Sequence, residues 1–246
     1  NTLMLMEVFK LRGLEVVPFA FPERPDPQRL RRSLEALAQT LGTTLAAAEG
    51  VRRELAPARA MARELDRLTW EEGLASGGEN HLWLVSASDF NGDPSEYERR
   101  LARLLSEVRE RKPYPEGTMR LAYIGVPPIF APDLYPYLER QGARVVFNEV
   151  QRQFSMPNAG RDLAEQYSYY TYPYSLQERI KDILSQLKLR RVDGVIHYVQ
   201  AFCHRGIADI VFRSAIDLPV LTLEGNADWR VNISLDTMRP ERFHRI

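Results

Sequence analysis

A parallel α/β fold is the architecture this sequence predicts, and three observations carry the prediction. Short, largely apolar runs recur in the second half of the chain, at Arg120–Val126, Ala143–Val150, Gly194–Val199 and Pro219–Leu223. Helix-patterned segments separate consecutive runs, as the crossovers of a parallel sheet require. Turn residues mark the joints, and the apolar character of the runs fits strands covered on both faces.

The elements follow in order from the N-terminal end. Thr2–Arg12 reads as a helix that Gly13 ends, and Leu14–Phe19 reads as a strand. In a βαβ series that helix should itself follow a strand, so a native chain longer than this at its N-terminus is expected, with processing as the other explanation. Pro22–Pro27 is a stiff, extended exit, and Asp26 with Pro27 starts a helix. Leu30, Leu34, Leu37 and Leu41 keep helical spacing up to Gly42. A second helical stretch covers Thr44–Trp70, with Leu45, Val51, Leu55, Ala58, Ala62 and Leu65 on one face. Pro57 kinks or divides it. Its composition suits a helical hairpin that bridges two domains, or equally a surface pair with no role beyond packing. Gly73–Glu79 is a joint, and His81–Ser88 is ambiguous between a strand and a short helix. Asn91–Pro94 opens an amphipathic helix that turns Tyr97, Leu101, Leu104, Leu105 and Val108 inward. Lys112–Gly117 has linker composition.

From Met119 the pattern becomes regular. Arg120–Val126 is the first strand, followed by a Pro-Pro loop, a helix near Pro132–Gln141 and the second strand, Ala143–Val150. An aromatic-rich insertion precedes a helix marked by Leu176, Ile180, Ile183, Leu184 and Leu187. Gly194–Val199 is the third strand, Arg205–Ile216 a helix, Pro219–Leu223 the fourth strand, and a last short helix lies around Leu235. The expected division is therefore 1–26, the end of a first α/β domain; 27–112, a helical connecting region; and 113–246, a second α/β domain of Rossmann/flavodoxin-like type.

Bulk properties narrow the function. The 246 residues carry 33 Lys+Arg against 33 Asp+Glu, so no overall field favours nucleic acid or an anionic membrane. No apolar run has the length of a membrane span, and no leader pattern opens the chain, which points to a cytoplasmic location without membrane partners. The single cysteine, Cys203, excludes an internal disulfide and any multi-cysteine zinc site. Motifs for dinucleotides, P-loops and α/β-hydrolase nucleophiles are absent from the sequence.

In an open parallel sheet, ligands bind beyond the carboxyl ends of the strands. That rule selects four segments: Gly125–Phe130, Glu149–Ser155, Gln200–Arg205 and Glu224–Asp228. Cys203 sits at a strand-to-helix turn, where helix-end amides can stabilise a thiolate, although a lone cysteine is as often a small buried hydrophobe. His204 is its neighbour in sequence, which does not ensure a shared face. Glu149 and Glu224 end separate strands and could serve acid–base work, with capping or ion pairing as the commoner role of each. Arg152 could bind a phosphate or carboxylate, against the base rate of a surface arginine. Tyr167, Tyr169, Tyr170, Tyr172 and Tyr174 could line a pocket for a flat or acyl group, or pack into a core.

The order of segments across residues 119–243 resembles the second domain of the 2-hydroxyacyl-CoA dehydratase / benzoyl-CoA reductase subunits, of the 2-hydroxyglutaryl-CoA dehydratase D-component type. Asp193–His204 (DGVIHYVQAFCH) and Leu218–Gly225 (LPVLTLEG) carry most of the likeness. Gly142–Glu149 (GARVVFNE) and Arg152–Pro157 (RQFSMP) add to it. The resemblance implies a cytosolic, oxygen-sensitive protein of two similar α/β domains, with a 4Fe-4S iron–sulfur cluster held between them by a few cysteines. It implies a similar sister subunit and a separate ATP-dependent iron–sulfur activator that delivers one electron. The electron generates a ketyl radical at the acyl-CoA thioester and allows the 2-hydroxyl group to leave.

By this resemblance Cys203 matches the family's last cluster-ligand position. His204 joins Glu149 and Ser155 as the catalytic candidates. Pro127, Arg152, Gln200 and Glu224 are the candidates for holding the acyl-CoA, with Pro127–Phe130 and Glu149–Ser155 shaping the acyl site. One departure stands out: the family's cysteine after the second strand is replaced here by Val150–Arg152, where Glu149, Gln151 or Ser155 could ligate instead. The leading expectation is a dehydratase-type lyase subunit acting on a CoA thioester. The alternatives are a non-catalytic acyl-CoA-binding partner without a cluster and an iron–sulfur reductase or electron-transfer protein on the same scaffold.

Overall fold

Among the described residues, four strands form one all-parallel sheet in the order β2-β1-β3-β4. They are β1 (Met119–Gly125), β2 (Ala143–Asn148), β3 (Gly194–Gln200) and β4 (Val220–Gly225). The computed structural model describes residues 2–128, 133–158, 160–200 and 203–225. The predicted α/β class and all four late strands are therefore present. Contacts divide the chain into two compact units: Asn1–Glu54 with Asn158–Tyr174, and Leu55–Pro157 with Ser175–Ile246.

The smaller unit begins with α1 (Thr2–Leu11), α2 (Pro27–Thr40) and α3 (Leu45–Glu54). Asp26 caps α2 by accepting the Arg29 N–H at 2.9 Å, and Pro27 fits the first turn, where no donor is needed. Leu14–Phe19, expected as a strand, is irregular and largely exposed. A strand exists only through its ladder, and no described segment pairs with this one.

In the larger unit, α4 (Ala56–Arg67) starts just after Leu55, with Pro57 in its first turn, so the expected long helix is divided there. A π-helical turn over Leu68–Glu72 follows. Of His81–Ser88, the residues to Ser86 prove helical within α5 (Gly77–Ser86), because Ser76 and Glu79 form a capping box that fixes its start, and the last two form a turn. Asp93 caps α6 (Pro94–Arg109), which buries Tyr97, Leu101, Leu105 and Val108. These three helices share one core with Ala58, Ala62, Leu65, Leu84 and Phe90.

Next come α7 (Leu134–Arg140) and α8 (Glu149–Phe154). Then α9 (Leu163–Ser168) packs Ala164 against Leu30 and Leu34 of α2 within the smaller unit. The larger unit resumes with α10 (Leu176–Leu189) and, after a 3-10 turn at His204–Ile207, α11 (Ala208–Ala215). The helix expected around Leu235 lies outside the described residues.

Side chains alternate across each strand, so the sheet has two chemically different faces. Leu121, Tyr123, Ile196 and Tyr198 pack with α7. Ala122, Ile124, Val195 and Val220 pack with Ile183 and Leu187 of α10 and with Phe212 of α11. A buried polar node links the helical layer to the sheet. Asp66 accepts from both terminal nitrogens of Arg190, at 2.9 and 2.6 Å, and from Asn80 at 2.9 Å. Asn80 in turn accepts from Asn148, at the end of β2, at 2.8 Å. Burial alone would raise the Asp66 carboxyl; the Arg190 charge and these hydrogen bonds prevail and hold it below its usual range.

Candidate functional site

The strand order places a topological switch point between β1 and β3. From β1 the chain goes to β2 on one side, and from β3 it goes to β4 on the other. Loops that leave two such strands diverge and open a crevice over their carboxyl ends. Gly125 of β1 and Tyr198 of β3 are register partners at that point.

On the α10/α11 face the rim is built from fixed charges. Glu149, the first residue of α8, accepts from Arg179 at 2.5 and 2.7 Å and from the Gly125 N–H at 3.0 Å. Both side chains of this pair are essentially inaccessible to solvent. One carboxylate thus ties the end of β2 to the end of β1 and to α10. The Arg179 guanidinium lies over the Phe212 ring, 5.0 Å from its centre, and His197 meets the same ring edge-on at 4.8 Å. His197 Nδ1 donates to Asp209 at 2.8 Å, while Asp209 also accepts from Thr222 and, at 2.7 Å, from Arg213. Burial lowers the His197 imidazole, against the opposing pull of Asp209.

The α7 face of the rim is aromatic. The Tyr123 hydroxyl donates to the Val126 carbonyl and that of Tyr135 to Asn148, both at 2.7 Å. His81 of α5 stacks on Tyr135 at 5.2 Å and accepts at Nδ1 from Gln151 Nε2 at 2.9 Å. Its neutral form therefore carries the proton on Nε2. Burial pushes the His81 imidazole down to about 4, and both tyrosine hydroxyls lie well above their ordinary range.

The residues singled out from sequence fall into distinct settings. Glu149 is at the rim with both oxygens engaged, as above. The Glu149–Ser155 segment is not an open loop, because α8 begins directly at the strand end. That turns Arg152 inward to pair with Asp182, with its guanidinium over Phe147 at 5.6 Å. Ser155 is fully buried; its hydroxyl donates to the Arg152 carbonyl at 2.8 Å and its own carbonyl accepts from Arg63 at 2.8 Å. Gln200 ends β3, and its carbonyl accepts the Cys203 N–H at 2.9 Å, bringing these two together. Cys203 is half-buried at the start of the 3-10 turn. His204 lies in that turn, and only its backbone is described. Pro127 is half-buried beyond β1, while Glu224 is exposed on β4, opposite Val199. Phe130 and Asp228 lie outside the described residues. Of the tyrosine run, Tyr167 and Tyr174 meet Phe21 edge-on at 6.0 and 5.7 Å in the smaller unit, which is a packing cluster.

Arg179, His197, Asp209 and His81 were not anticipated. Arg179 had a legible signal: it lies three residues after Leu176 and four before Ile183, on the buried stripe of its helix. His197, in the middle of an apolar strand, was another.

An iron–sulfur cluster requires several thiolates. Cys203 is the chain's one thiol, and among the described residues no three His, Cys, Asp or Glu side chains converge as metal ligands. The described residues do not fit a cluster that they alone would hold. No helix among them is long and apolar enough to cross a membrane.

Comparison with protein families matches residues 19–235 to the family described as 2-hydroxyglutaryl-CoA dehydratase, D-component. No curated protein matches the chain.

Proposed function

The chain belongs to the 2-hydroxyglutaryl-CoA dehydratase D-component family, and from that premise we propose that it holds an acyl-CoA thioester at the β1/β3 switch point as one component of a dehydratase. The observation that carries this reading is a family match that runs through both strands of the switch point. The geometry supports it. A rim fixed by the Glu149–Arg179–Gly125 contacts is rigid before any ligand arrives, which lowers the ordering cost of binding. Glu149 is a positioning residue in this reading, since neither oxygen is available to move a proton. Pro127, Gln200 and Glu224 remain at or near the strand ends to meet the ligand, and Cys203 supplies one thiol beside them. As a component, the chain works with other subunits, a similar sister subunit among them.

One-electron chemistry with an ATP-dependent activator requires cluster ligands beyond the described residues. Two measurements decide the matter. Isothermal titration of the full protein with an acyl-CoA is expected to show saturable binding, and no binding by any acyl-CoA overturns the proposal. Iron and sulfide content of anaerobic protein, beside its Cys203→Ser variant, separates the two forms of component. A cluster lost in the variant makes Cys203 a ligand; none in either identifies a binding subunit.

A further inference from the structure

Tyr198 stands at the switch point with its hydroxyl unclaimed. Its ring lies on the α7 face of β3, stacked on Tyr123 with centres 6.0 Å apart. From there the phenol leans along the strand to reach Gly225, the last residue of β4. Glycine on each neighbouring strand leaves the space, Gly125 for the backbone of Tyr198 and Gly225 for its phenol. A Cβ on Gly125 would stand 2.1 Å from the Tyr198 carbonyl oxygen, and one on Gly225 would stand 1.7 Å from the phenol oxygen. Real Cβ contacts are essentially never that short, so a side chain at either place would displace Tyr198.

The phenol oxygen is buried and has no hydrogen-bond partner among the described residues. Tyr123 and Tyr135, on the same face, each have one. A buried hydroxyl left unpaired is costly, and such exceptions in a folded protein call for a reason. Here the exception falls at the carboxyl ends of β3 and β4, beside Gly225, on the rim where ligands bind in this class of sheet.

We propose that the Tyr198 phenol donates a hydrogen bond to the thioester carbonyl oxygen of the bound acyl-CoA, an inference that rests on the acyl-CoA reading above. Burial raises this phenol above its ordinary value, so it keeps its proton and acts as a donor. A thioester oxygen has lone pairs and no proton, which makes it the complementary group. Free coenzyme A lacks that oxygen.

The test uses Tyr198→Phe, which removes one oxygen and keeps the ring stacked on Tyr123 and beside Gly225. Thermal midpoints are compared without ligand, and affinities for lactyl-CoA and for free coenzyme A are titrated without reductant, so that no turnover occurs. The expected result is a midpoint unchanged or raised, because an unpaired buried hydroxyl is removed, with about tenfold weaker binding of lactyl-CoA and unchanged binding of free coenzyme A. Equal lactyl-CoA affinity in the two proteins overturns the inference and leaves the acyl-CoA reading standing. Equal weakening for both ligands, or a lower midpoint with lactyl-CoA affinity retained, also overturns it. Failure of the unsubstituted protein to bind lactyl-CoA or any other acyl-CoA overturns the acyl-CoA reading, and this inference with it.

Discussion

The two faces of the sheet reach the same rim with different chemistry. On the α10/α11 side, Glu149, Arg179, His197, Asp209 and Arg213 are joined through hydrogen bonds and ring contacts, and the carboxylates are each held by more than one partner. On the α7 side, aromatic rings stack under the rim, and one hydroxyl is left without a partner among the described residues. Carboxylates with several partners mark the side that holds the strand ends in place, where the buried Arg152 Nε beside Phe147 is the polar atom without a hydrogen bond. On the other side the unpaired atom is the Tyr198 hydroxyl at a strand end, a donor left for a ligand. Ionisable residues near a strand end therefore say less about chemistry than the partners they already have.

Substitutions on each face put this contrast at risk. The largest expected effect is Arg179→Met, which strands the buried Glu149 carboxylate and should cost about 3–5 kcal/mol in urea unfolding. Glu149→Gln added to it should recover much of that loss, and a single variant within about 1 kcal/mol of the parent would mean that the pair does not organise the rim. Next comes His81. Its folded value near 4 lies below the ordinary 6.5, so the unfolded chain takes up the proton more readily. The stability it contributes is whole above about pH 6.5 and falls as pH drops toward 4, by about 3 kcal/mol. Unfolding curves at pH 7 and pH 4 should show that slope in the parent, and the slope should shrink in His81→Gln. Asp209→Ala leaves the buried His197 Nδ1 unpaired and should cost about 2 kcal/mol; a neutral outcome would detach His197 from the rim. The smallest effect belongs to Arg213→Ala, whose half-exposed guanidinium should matter by less than about 1 kcal/mol, and less still in high salt.

How much could be read from the residues depended on range. The late strands were legible because apolar runs and their helical separators are local signals. Leu14–Phe19 has the composition of a strand, but pairing decides strands, and composition cannot show a missing neighbour. Rim positions were legible for the same local reason: Glu149, Gln200, Cys203 and Glu224 all lie in or next to strand ends. Side-chain direction was not. Arg152 and Ser155 turn inward because α8 starts at once, and helical geometry, not loop membership, aims them. The partners of Glu149 and His197, at 30 and 12 residues' separation, arise only when the sheet has assembled.

The strand order also sets a timetable for synthesis. β2 can join β1 as soon as residue 148 has emerged, but the other side of β1 is completed by β3 only after residue 198. Until then one edge of β1, with its run of backbone donors and acceptors, stays open in an N-terminal-first chain. The Arg179 that closes over Glu149 emerges within that same interval. A nascent chain halted between residues 150 and 178 would carry an unpaired parallel edge and a carboxylate still awaiting its guanidinium, and such a fragment has the properties that chaperones recognise.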